Sequence, residues 1–135
     1  MSVLTILLPT PLCEGTTGVY TFQVVDEASL GIEGSQLNSL TLTYYDLATG
    51  AILNNRDGQN VLNTNNVTLT TVSGPPLVTT VAWDIRPEDT ILHDVRRETE
   101  QHIALFQWAW GASTKHAAHK VQLGIEALVY TLALP

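Results

Sequence analysis

A single cysteine, Cys13, in 135 residues excludes an intramolecular disulfide and any cysteine-cluster metal site. Basic side chains are scarce too: six Lys and Arg stand against 13 Asp and Glu, a formal net charge of −7 at pH 7. Their one cluster, Arg96-Arg97, is flanked by Asp94, Glu98 and Glu100. Neutralising phosphates takes a cationic footprint, so this balance argues against direct nucleic-acid binding and against anionic membrane surfaces. Long apolar runs are missing. The opening MSVLTILLPTPL is broken by Pro9, is too short to cross a bilayer, and lacks the cationic first segment of a secretory signal. Synthesis in a cytoplasm is the expectation, and Asn66-Val67-Thr68 is then an accidental match to a glycosylation acceptor.

Motifs of catalysis are missing as well. There is no G-x-S-x-G, no P-loop and no G-x-G-x-x-G. Cys13 stands beside Glu14 near an apolar terminus, a poor setting for a nucleophilic thiol. The paired acids Asp26-Glu27 and Glu88-Asp89 suit turns and helix starts better than acid–base chemistry. Of the four histidines, His93, His102, His116 and His119, the last two are three apart and would share a face only on a helix. Residues 112–120 read as a loop leading into a strand, and zinc needs three or four ligands. A metal enzyme built on His102, His116 and His119 is thus a weak rival. Asn54, Asn55, Asp57 and Asn60 offer oxygen ligands in one loop, without the spacing of a calcium hand. No cofactor, metal or catalytic residue is expected.

What the chain does have is β-branched side chains and alternation. Thr alone supplies 18 residues, and β-branched residues suit a pleated sheet. Tyr20, Phe22 and Val24 alternate with polar neighbours; so do Leu40, Leu42 and Tyr44; Val67 and Leu69; Val81, Trp83 and Ile85; and Val121, Leu123 and Ile125. Period two puts one face of each strand on a core. Residues 101–110 are apolar on both faces, as a central strand would be. Turns fall between these runs at Asp46 to Gly50, Asn54 to Gly58, Asn63 to Asn66 and Gly74-Pro75-Pro76, and Pro87-Glu88-Asp89 opens a single helical turn. The expectation is an all-β fold: one immunoglobulin-like antiparallel β-sandwich of seven or eight strands over 16–135, preceded by an apolar arm over 1–15.

Charge is unevenly placed. Segments 34–45, 58–83, 101–114 and 127–135 contain no Asp, Glu, Lys or Arg. Soluble proteins usually guard exposed strand edges with charge. The bare segments therefore favour a homo-oligomer or larger assembly whose partner covers them; the alternative is that Thr, Asn and Gln solvate them and the chain covers its own edges. Both termini are apolar, and they dock either in their own sheet or on a neighbour. The candidate partner contacts are Val3, Leu4, Ile6 and Leu7, the tryptophans Trp108 and Trp110, and Leu132 and Leu134. Trp83 is assigned to the core. Trp108 and Trp110 share a face and serve as core, as an interface anchor, or, less favoured, as a sugar platform.

The runs Val19 to Asp26 and Leu40 to Gly50 resemble the opening strands of small immunoglobulin-like structural proteins of tailed-bacteriophage virions. The segment Glu100 to Trp108, followed by the hairpin into His119 to Ile125, resembles their closing strands. The resemblance covers about residues 16–128. It implies a non-enzymatic virion protein made in the host cytoplasm, most readily a capsid cement or decoration protein on the major capsid protein, acting as a trimer or other homo-oligomer. A neck, tail or baseplate adaptor is the alternative within that class, and a carbohydrate-binding module the alternative outside it.

Overall fold

The computed structural model describes residues 5–8, 11–94, 96–111 and 115–127. Among them, nine strands build two sheets: β1 Thr5–Leu7, β2 Leu12–Cys13, β3 Gly18–Gln23, β4 Leu37–Asp46, β5 Gln59–Asn60, β6 Val67–Val72, β7 Val78–Ile85, β8 Thr99–Trp110 and β9 Lys115–Glu126. One sheet has six strands, in the order β1-β9-β8-β4-β5 with β2 also on β9; the other has the order β3-β7-β6. The fold is an all-β sandwich. The count exceeds the expected seven or eight because β1, β2 and β5 are only two or three residues long and carry no readable period.

The antiparallel ladders follow from the alternation. Leu40, Leu42 and Tyr44 in β4, Val81, Trp83 and Ile85 in β7, and Val121, Leu123 and Ile125 in β9 are all buried between the sheets. The centre is aromatic. Phe22 from one sheet meets Phe106 from the other at 4.8 Å between ring centroids, and Trp83 stands edge-on to both Tyr44 and Phe106. The middle strand β8 also buries residues on its outward side, Ile103 and Ala109, as its two-sided apolar pattern requires.

The described part of segment 1–15 is not detached from the sandwich. Ile6 and Leu12 pair, parallel, with Val121 and Ile125 of the chain's own β9. This pairing closes the β9 edge of the larger sheet. The turns match their residues: Asn54, Asn55, Asn63, Asn65 and Asn66 take positive φ, as asparagine tolerates. At Gly74, φ is +63°, and a Cβ there would collide with the Pro76 carbonyl, so only glycine fits.

Candidate functional site

Strand parity places a chain of polar groups in the interior. Asp46 has the parity of Leu42 and Tyr44 in β4; Glu100 and His102 have the parity of Ala104 and Phe106 in β8; all three acidic and basic side chains are buried. Arg97 Nη1 donates to the Asp46 carboxylate at 3.2 Å and to Glu100 at 3.4 Å. Glu100 also accepts the backbone N–H groups of His93 and Asp94, each at 2.7 Å, which ties down the connection between β7 and β8. His102 Nε2 lies 2.8 Å from Glu100, and its Nδ1 lies 3.0 Å from the Tyr44 hydroxyl. Tyr44 in turn donates to the Asp89 carbonyl at 2.7 Å.

Asp89 anchors the second half of the chain. Its carboxylate accepts Arg56 Nε at 2.8 Å, Arg56 Nη2 at 3.3 Å, Asn54 Nδ2 at 2.8 Å and the Arg86 backbone N–H at 3.1 Å. The pair has almost no solvent exposure, 3% and 0% for the two side chains. The Arg56 guanidinium lies 5.9 Å from the centroid of the Trp83 ring. Two loops and a 3-10 turn, Pro87–Asp89, are thereby locked to the core.

Burial pushes the Asp46 carboxyl up, but hydrogen bonds from Thr49 and Arg97 outweigh it and hold the group below the usual range. Burial drives His102 below its ordinary value, against the opposing pull of Glu100 and Asp46. Tyr44 is raised, by burial first and then by Asp89. Donor atoms of Asp46, Glu100 and His102 approach within 4.8 Å of one another, a spacing a metal could bridge. Arg97 already supplies the cation there, and His102 Nε2 faces Glu100 directly. Asp46, Glu100 and His102 are thus buried and hydrogen-bonded within one ion-pair network, and Arg97, 30% exposed, carries it to a hollow lined also by Leu47, Ala48, Thr99, Glu100 and Gln101.

The histidine set proposed as a metal site does not assemble. Residues 115–120 belong to strand β9, so His116 and His119 point to opposite faces. His119 stacks flat on Phe22, 4.3 Å between centroids at 7°, and its Nε2 lies 2.6 Å from the Tyr20 hydroxyl. His102 pairs with Leu123, four positions further along the ladder.

Trp108 and Trp110 lie in the core cluster, 3% and 9% exposed, and Trp108 Nε1 donates to the Val25 carbonyl. In the isolated chain neither ring is free for a partner or a sugar, and Trp83 is core as expected. Ile6 and Leu7 are exposed, at 47% and 63%. Val3, Leu4, Leu132 and Leu134 lie outside the described residues.

The uncharged strands receive different treatments. On the open side of β6, Asn63 Oδ1 accepts the Leu69 N–H at 2.8 Å and the Thr64 carbonyl accepts the Val67 N–H at 3.1 Å. The loop thus caps an edge that carries no charge, a device that depends on side-chain placement. The outward face of the six-stranded sheet is different: it is wide, with Lys120 the one ionic side chain in its central rows. No protein-family model matches the chain, and no curated protein matches it.

Proposed function

We propose that the chain is a non-enzymatic virion structural protein that works by protein–protein contact, most readily as a capsid cement or decoration protein on the major capsid protein. One observation carries the reading. The ionisable groups with the most partners, Arg56, Asp89, Asp46, Glu100 and His102, are buried in hydrogen-bonded clusters, whereas the outward face of the six-stranded sheet is mostly uncharged, presenting Tyr45, Leu105 and Thr and Gln side chains with Lys120 near its middle and Glu126 at one end. A protein with that division binds through a face. The action is mechanical: apolar area removed from water at roughly 25 cal/mol per Å², less the cost of ordering, stabilises contacts between shell subunits.

The finer reading of the fold belongs with this proposal. Taking β3, β7 and β6 as strands B, E and D, and β9, β8, β4 and β5 as G, F, C and C′, we read the sandwich as immunoglobulin-like, a reading that the strand order supports. That agrees with the likeness of the opening and closing runs to phage virion proteins.

Quantitative mass spectrometry of purified particles tests the proposal. Hundreds of copies per particle support cement; a handful support a neck, tail or baseplate adaptor; absence from particles overturns the virion reading. The sugar-binding alternative on Trp108 and Trp110 is disfavoured by their burial, which leaves neither of these two rings open to stack on.

A further inference from the structure

The two sheets differ in width on one side. Tyr20 and Phe22 of β3 pack against His119 of β9 and against Phe106 and Trp108 of β8, so β3 faces the β8–β9 part of the larger sheet. β1 and β2 lie beyond β9 and overhang β3, with no strand of the smaller sheet opposite them among the described residues. The overhang leaves inner side chains in water. Ile6 pairs with Val121, which is fully buried between the sheets, so Ile6 projects to that same inner side, yet it is 47% exposed. Leu8, Leu12, Tyr20 and Ala117 pack on this flank of the core and are only partly buried.

β3 is open as a ladder too. Its register with β7, continued by the Val24 N–H bonding the Thr79 carbonyl, turns the backbone groups of Gly18, Tyr20 and Phe22 toward β7. The N–H and C=O groups of Val19, Thr21 and Gln23 point the other way, and no hydrogen bond among the described residues takes them up. Residues 16–25 carry no charged side chain to guard that edge.

We propose that residues 128–134 of this same chain form a further strand on the free edge of β3 and cover the overhang. The inference does not depend on the virion reading. Position, length and pattern select the occupant. The Glu14 N–H bonds the Glu126 carbonyl at 2.7 Å and the Ala127 N–H bonds the Glu98 carbonyl at 2.8 Å, so the chain leaves β9 beside the residues that lead into β3. With sheets about 10 Å apart and a rise of about 3.3 Å per residue, roughly three residues make the crossing and about four remain to run parallel to β3. Leu128, Tyr130, Leu132 and Leu134 alternate with Val129, Thr131 and Ala133, one large apolar face against a smaller one, which is the pattern of a strand with one side on a core. Leu132 and Leu134 would then stand over Ile6 and Tyr20. A second copy fits this edge poorly: pairing β3 with β3 about a two-fold axis drives the two overhanging β1 strands into each other.

Amide exchange and NOEs measured by NMR on the full chain test this. The Val19, Thr21 and Gln23 amides are expected to be protected, with methyl NOEs from Leu132 or Leu134 to Ile6 or Tyr20. Both signals should persist on dilution, and the NOEs should be missing from a mixed sample of labelled and unlabelled chains filtered for contacts between copies. A chain ending at Ala127, and full-length L132D/L134D, are each expected to lose about 100-fold or more of the protection at those three amides, while Tyr20 and Phe22, bonded to β7, stay protected and show that the variant is folded. Should both variants unfold, the wild-type NOEs still decide. Fast exchange of the three amides in the full chain overturns the inference. So does protection that survives both changes, which gives the edge to another segment, or NOEs found only between copies, which gives it to a neighbour's strand.

Discussion

Replacing Asp89 with alanine should be among the most damaging single changes in this chain. The substitution removes the acceptor of four hydrogen bonds and strands the Arg56 guanidinium, whose side chain is 3% exposed, in the interior. Breaking a buried ion pair from one side typically costs about 3–5 kcal/mol, because the surviving charge stays desolvated and unpaired. Domains of this size hold about 5–15 kcal/mol in all, so D89A should lose from about a fifth of its stability to all of it. Urea unfolding followed by tryptophan fluorescence would measure the loss, and Trp83, in contact with Arg56, is a local reporter. The double variant R56M/D89A removes the orphaned charge and fills its space with methylenes. It should be about 1–2 kcal/mol more stable than D89A alone, a coupling of opposite sign to simple addition. A loss under about 1 kcal/mol for D89A, or a double variant that is worse by the full sum, would refute the reading of Asp89–Arg56 as a mutually dependent buried pair.

Acid should destabilise the protein in two separate windows. His102 and His119 are both held below their ordinary value by burial, so the folded state favours the neutral ring. Their contribution is present above about pH 6.5 and is shed as pH falls below it, a slope that H102Q and H119Q should each reduce in urea midpoints taken between pH 7.5 and 5.5. Asp46, held below the usual carboxylate range, adds stability above about pH 4 that is lost on further acidification, and D46N should remove that lower slope. Asn63→Ala should cost about 1 kcal/mol by freeing the Leu69 N–H, and should raise concentration-dependent aggregation by light scattering, whereas Asn63→Asp should not. Trp108→Ala should cost the isolated chain about 3–5 kcal/mol, as a core ring does; a loss near zero would return Trp108 to the role of a partner contact.

Much of the sandwich was legible because period two is a direct image of burial. Tyr44, Trp83 and Leu123 each sit inward where alternation put them. The short strands were not legible: Thr5–Leu7 has no buried side of its own, and its place is set by hydrogen bonds to β9. The polar interior was hidden for another reason. Nine charged residues between Asp84 and Glu100 read locally as a solvated loop, and nothing in their spacing joins Asp89 to Arg56, 33 positions away. A usable signal existed in parity: Asp46, Glu100 and His102 continue the inward positions of β4 and β8, where a charged residue must find a partner. The same parity separates His116 from His119 once residues 115–120 are known to be a strand. The bare strands around 58–83 were read as needing a neighbouring chain; on β6 the chain's own Asn63 and Thr64 do part of that work.

The most direct test is hydroxyl-radical footprinting of side chains in the free chain, diluted below its self-association range, and in its working assembly. Tyr45, Leu47 and Ile52 should react in the dilute chain and become protected several-fold on assembly, while Val19 and Val72 should stay equally reactive in both. Equal reactivity of Tyr45, Leu47 and Ile52 in the two states, or protection confined to Val19 and Val72, would contradict the account.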